Sequence, residues 1–121
     1  MTRDPIEGMD TGLPVLDPAM SSGDMDQMTQ NARRAATFLK AISHEGRLMI
    51  LCHLASGEKS VTELEDLLSA RQAAVSQQLS RLRLEGLVTP RREGKTIYYS
   101  LADERPRQIM EVLYRLFCET T

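Results

Sequence analysis

Tryptophan is missing from this sequence, and aromatic residues make up only 4% of it. A chain of 121 residues suits one small domain, and with so few large rings its core must be modest. Oligomerisation is then a natural way to bury more surface. No apolar run approaches the roughly 20 residues that a membrane span requires. No secretory signal precedes the first predicted helix, so a cytosolic location is expected. There is no Gly-rich phosphate loop, no nucleophile paired with a base and no cofactor signature, which argues against an enzyme and against a bound cofactor. Cysteine and histidine number two each (Cys52, Cys118, His44, His53). A closed zinc site needs about four ligands, and these are too few and too dispersed to supply it, so no metal site is assigned.

Net charge is −2, which looks unsuited to a polyanionic partner until it is divided along the chain. Residues 1–30 carry one base (Arg3) and six acids (Asp4, Glu7, Asp10, Asp17, Asp24, Asp26). Residues 71–95 carry six bases and two acids. Positive charge is concentrated where release of phosphate counterions would use it.

That basic stretch belongs to the segment Ser60–Leu101, around which the rest is organised. Ser60 followed by Glu63 is a capping box ahead of Leu64, Leu67 and Leu68. After a short turn at Ala70-Arg71, the residues Ala74, Val75, Leu79, Leu82 and Leu84 fall at helical spacing, and Gly86 supplies a left-handed stop. Leu87-Val88 and Pro90 then lead to a charged turn, Arg91-Arg92-Glu93-Gly94-Lys95, and to the strand formers Thr96-Ile97-Tyr98-Tyr99-Ser100. Tyr98 and Tyr99 read as packing residues, one on each face. Helix, turn, helix and hairpin is the layout of a winged helix-turn-helix, a DNA-binding unit.

The second of these helices fits that function chemically. Gln72, Ser76, Gln77, Ser80 and Arg81 lie between its apolar positions, and no acid occurs from Gln72 to Arg83. Amides pair with an adenine edge, serine donates or accepts, and arginine reaches guanine or phosphate. A face needed only for solubility is usually filled with Glu and Lys. Arg91, Arg92 and Lys95 make the hairpin tip cationic.

Residues 1–27 read as a disordered acidic tail, with recurrent Gly and Pro and no apolar period. Residues 28–121 form the folded DNA-binding and dimerisation domain. A first helix is expected from about Asp26 to Ile42, with Met28, Ala32, Ala35, Ala36, Leu39 and Ile42 as its apolar stripe. Ser43 is expected to cap a second helix that ends at Gly57, with Leu48, Leu51, Cys52 and Ala55 facing the core. Met49 and Met110 read as core filler. A last helix, capped by Asp103 or its predecessor, accepts Pro106 in its first turn and runs to about Glu119. Its apolar residues Ile109, Met110, Val112, Leu113, Leu116 and Phe117 cover more than half its circumference, which points to a partner helix in a two-fold dimer. The expected fold is therefore mostly α with a small β-hairpin, in the order α-α-α-α-β-β-α.

The run SHEGRLMILCHLASGEKSVTELEDLL, followed by QAAVSQQLSRLRLEGLV and RREGKTIYYSL, resembles the ArsR family of bacterial transcription repressors over roughly residues 30–118. The resemblance implies a homodimer joined through its first and last helices, which represses by covering a promoter and leaves it when an inducer binds. By position, Gln72, Ala73, Ser76, Gln77 and Ser80 match the family's base-reading face, and Arg91 to Lys95 match its wing. Metal-sensing members carry Cys-x-Cys on the second helix, where this chain reads Ile50-Leu51-Cys52. Others place Asp and His ligands on the last helix, which here has Asp103 and Glu104 but no histidine.

One thiol on each of these helices, Cys52 and Cys118, is similar to the subgroup that senses persulfides and other reactive sulfur species. There the resemblance implies that the reduced dithiol binds DNA and that a di- or polysulfide bridge releases it. The chemistry of the residues alone leaves other readings open. Cys52 on an apolar stripe is compatible with a small buried hydrophobe, and the helix dipole near Cys118 disfavours a thiolate. A metal(loid)-responsive repressor would use the same cysteines as ligands. A module without a sensing role would ignore their state.

Overall fold

In the computed structural model, which describes residues 21–119, eight elements follow one another: α1 (Ser22–Ile42), α2 (Glu45–Ala55), β1 (Lys59–Ser60), α3 (Val61–Leu68), α4 (Gln72–Leu84), β2 (Val88–Glu93), β3 (Thr96–Leu101) and α5 (Glu104–Phe117). Five helices and a hairpin reproduce the expected class. Residues 1–20, most of the segment expected to be a tail, lie outside the described residues. The first helix starts earlier than predicted because Ser21 caps it: its hydroxyl accepts the Asp24 N–H at 3.1 Å. Asp24 also places a carboxylate in the positive first turn. Residues 1–34 and 35–121 are separate units, so α1 begins in one and ends in the other. The second unit holds everything described below.

Local chemistry sets the boundaries. His44, not Ser43, caps α2: its Nδ1 accepts from the N–H groups of Gly46 (3.0 Å) and Arg47 (3.4 Å). Ser60 and Glu63 close the predicted capping box, with Glu63 N–H to Ser60 Oγ at 3.1 Å and Ser60 N–H to Glu63 Oε1 at 2.8 Å. Ser69 ends α3 in the left-handed region at φ 51°, an uncommon conformation for serine. Gly86, at φ 76°, turns α4 into β2.

A short third strand escaped the sequence. Lys59 and Ser60 pair antiparallel with Tyr99 and Tyr98, giving the order β1-β3-β2. The hairpin is also tighter than expected. Arg91, Arg92 and Glu93 pair with Tyr98, Ile97 and Thr96, which leaves a two-residue turn at Gly94-Lys95. Gly94 sits at φ 63°, as a tight hairpin of this kind demands. Pro90 is tolerated because β2 is an edge strand.

Ala41, Ile42, Ile50, Leu51, Leu54, Leu64, Val75, Leu79, Leu82, Leu87, Val88 and Met110 form one buried cluster. Each fully buried aliphatic side chain contributes about 1.5–3 kcal/mol relative to exposure. Several expected core residues lie outside it. Leu84 is 81% exposed, and Met49, Leu67, Ala74 and Cys52 are also exposed. On α2 the inward stripe is Ile50, Leu51 and Leu54, rotated from the expected one. Met110 is buried as predicted, while Leu116 and Phe117 stand 70% and 79% exposed.

Candidate nucleic-acid interface and thiol pair

The buried residues of α4 orient its other face. Val75, Leu79 and Leu82 lock one side into the core, so Gln72, Ala73, Gln77, Ser80 and Arg81 project outward and Ser76 lies half-buried at the margin. The six residues proposed to read bases thus share one surface of one helix. Arg71, the N-cap of α4, makes no side-chain cap. Arg81 is paired with Glu85 at 3.7 Å, one turn on.

The wing's three cations are not equivalent. Arg91 is gripped by the loop before β1: its Nε and Nη2 reach the Glu58 carboxylate at 3.0 and 2.8 Å, and Nη1 reaches Glu93 at 2.7 Å. The guanidinium also lies over the Tyr98 ring, 4.8 Å from its centre. Hydrogen bonds from Arg91 hold the Glu58 carboxyl below the usual carboxylate range. Arg92 and Lys95 are exposed and, among the described residues, form no ion pair. Glu58 lies 33 residues from Arg91 and carried no sequence signal of this role.

The two cysteines are placed by α2 and α5. Arg107 on α5 donates from Nη1 to the Ala55 carbonyl at the end of α2. Just under one helical turn from that bond on each helix, Cys52 Sγ donates to Met110 Sδ at 3.7 Å. Cys118 caps α5, its N–H bonded to the Tyr114 carbonyl at 2.9 Å. Both thiols are free and exposed. Partial burial pushes the Cys52 thiol above its ordinary value, and the charge of Cys118 pushes it further. Cys52, Ala55, Ser56, Met110, Tyr114 and Arg115 line an open groove where α2 meets α5. Among the described residues, no group of three or more His, Cys, Asp or Glu side chains could hold a metal ion.

A helix-turn-helix with an outward polar α4, followed by a cationic two-stranded wing, defines a winged helix-turn-helix DNA-binding protein. Residues 44–89 match the bacterial regulatory proteins of the arsR family. The biofilm growth-associated repressor of Agrobacterium fabrum is 47% identical over 91 residues, covering 75% of this chain and 78% of that protein. The transcriptional activator HlyU of Vibrio cholerae is 41% identical over 96 residues, covering 79% and 89% of the two chains. The structure of reduced HlyU superposes with a TM-score of 0.74 at 42% identity, over 77% of this chain and 98% of that one. The repressor BigR of Xylella fastidiosa superposes at 0.70 with 40% identity, over 80% and 98%. The chain belongs to the arsR family and is a DNA-binding transcriptional regulator. Among the described residues no helix is long and apolar enough to cross a membrane.

Proposed function

We propose that this regulator is a homodimeric repressor that holds its operator as the reduced dithiol and releases it when reactive sulfur species link Cys52 to Cys118. The observation that carries this reading is a placement: Cys52 on α2 packs against Met110 of α5, the helix that Cys118 caps. The chemistry balances without a further oxidant. A thiolate of the pair attacks the outer sulfur of a persulfide RSSH, the donor S–S bond breaks, and RS⁻ leaves a Cys–S–SH behind. The second thiolate attacks the inner sulfur, expels HS⁻ and closes a disulfide. When both cysteines carry an added sulfur, the same attack closes a longer bridge, which suits thiols spaced imperfectly for a direct bond.

Dimer formation follows from α5. Val112, Tyr114, Leu116 and Phe117 are exposed apolar or aromatic residues on one terminal helix, and a second copy across a two-fold axis covers them most economically. Two reading helices must meet half-sites about 34 Å apart, so a bridge that shifts α5 against α2 misplaces them. A change of about 1–3 kcal/mol in coupling suffices to empty an operator. Gln72, Ala73, Ser76, Gln77, Ser80 and Arg81 read or flank bases in this scheme, and Arg92 and Lys95 hold phosphates, with Arg91 tethered behind them.

Operator affinity measured for the reduced protein, and again after glutathione persulfide, hydrogen peroxide and Zn²⁺, tests the proposal. Mass spectrometry of the peptides carrying Cys52 and Cys118 identifies the bridge. Release by persulfide with a Cys52–Cys118 link, and its loss in Cys118→Ser, is the expected result. Equal affinity in every state, or release by Zn²⁺ alone, would remove the sulfur switch.

A further inference from the structure

Arg47 sits in the first turn of α2. The structure turns it inward. Its Nε donates to the Ala41 carbonyl and its Nη2 to the Lys40 carbonyl at 3.5 Å, so it covers the last turn of α1. Its Nη1 donates to Gln78 Oε1 at 3.0 Å, on α4. One planar guanidinium therefore ties the end of α1 to the reading helix, and its fixed fork sets the angle between the two.

The surroundings make this link consequential. Ala41 and Ile42 are anchored in the core, so the α1 end of the link is firm. Beside it the α2–α4 junction is not filled: a groove of about 580 Å³ opens among His44, Gly46, Met49, Leu67, Ala74 and Gln78. The hydrogen bond reaches α4 at the rim of this groove, beside the face that Val75, Leu79 and Leu82 seat in the core. A Cβ at Gly46 would crowd the His44 cap at 3.1 Å and make only ordinary contact, at 3.8 Å, with Gln78 Cγ. On α4, Gln78 is half-buried directly after the exposed Gln77. Carbonyls at the end of α1 are the negative pole of that helix and hold a cation well.

We infer that Arg47 is a positioning residue for DNA recognition: through Gln78 it fixes the rotation of α4, and with it which side chains meet the base edges. It touches no DNA itself. The inference rests on α4 being the reading helix, and the experiment separates the two.

The full chain is reduced, and its preferred duplex is selected from a random pool. Affinity for that duplex and for a scrambled duplex of equal composition is then measured for Gln78→Met, Arg47→Lys, the double variant and Gln77→Ala. Gln78→Met keeps length and helix propensity but loses the acceptor, and Arg47→Lys keeps the charge but loses the fork. The expected result is a fall of about tenfold in the ratio of selected to scrambled affinity for either variant, with no further fall in the double variant. The salt dependence of scrambled-duplex binding stays unchanged, because no phosphate contact is lost. A merely structural role would lower both affinities together and leave their ratio alone. An unchanged ratio in Gln78→Met, alongside a changed one in Gln77→Ala, overturns the inference while sparing the reading helix. Additive losses in the double variant overturn it too, since Gln78 would then be reading a base directly. No change in any variant, Gln77→Ala included, overturns the assignment of α4 and the inference with it.

Discussion

Arg91 of the wing and Glu58 of the loop before β1 form a two-point ion pair, at 2.8 and 3.0 Å, across 33 residues of chain. The pair ties the hairpin to the body of the domain, and Glu93 takes a third donor of the same guanidinium. A cation so engaged has little left for a phosphate. We therefore expect Arg91→Ala to weaken binding to a scrambled duplex less than Lys95→Ala or Arg92→Ala does. Glu58→Gln frees the guanidinium, and the slope of log affinity against log salt should steepen by up to about one unit. A Glu58→Gln protein with the parent's salt slope would show that Arg91 reaches DNA while paired.

Cys52 has its thiol pushed above the ordinary value, first by burial and then by Cys118. The charged form is the disfavoured one, so alkylation by iodoacetamide, followed against pH, should show a midpoint above that of a free cysteine. Cys118→Ser removes the second cause and should bring the midpoint part of the way down. The folded state retains a proton that the unfolded chain has lost, so stability should decline as pH rises past the ordinary thiol value. An alkylation midpoint unaffected by Cys118→Ser would place the two sulfurs beyond each other's influence.

Ser76→Ala and Gln77→Ala should each reduce binding to the preferred duplex by about 1–3 kcal/mol. Binding to a scrambled duplex should hardly change, because neither side chain carries charge. Comparing both affinities at one salt concentration checks this. A parallel loss on both duplexes would move these residues from bases to backbone.

Leu79→Ala removes a wholly buried side chain from the inner face of α4. Loss of about 2–5 kcal/mol is expected. Ser60→Ala, which opens the capping box beneath the same motif, should cost about 0.5–2 kcal/mol. Urea unfolding monitored by circular dichroism measures both, and a smaller loss for Leu79→Ala than for Ser60→Ala would contradict the packing described.

How far the sequence could be read depended on how local each signal was. The Ser60–Glu63 box, the Gly86 stop, the Asp103 cap and the alternation of Val75, Leu79 and Leu82 with polar neighbours all act within a few residues. They yielded the helix-turn-helix and its outward face. On α2, nearly every residue from Leu48 to Leu54 is apolar, so two registers fit the helical period. The wrong one put Cys52 inward and left Ile50 and Leu54 unplaced. The strand Lys59–Ser60 is too short to carry a pattern and exists because β3 offers it an edge.

From its own residues the chain dictates where helices start and stop, which face of α4 is polar, and that positive charge gathers on that face and the wing. Those properties follow from backbone capping and side-chain spacing, which need no distant partner. Folding alone decides that Arg91 is spent on Glu58, that Arg47 spans from α1 to Gln78, and that Cys52 comes under the influence of Cys118. Each joins residues far apart in sequence, and their meeting depends on how helices and strands pack, a quantity that no window of neighbouring residues contains.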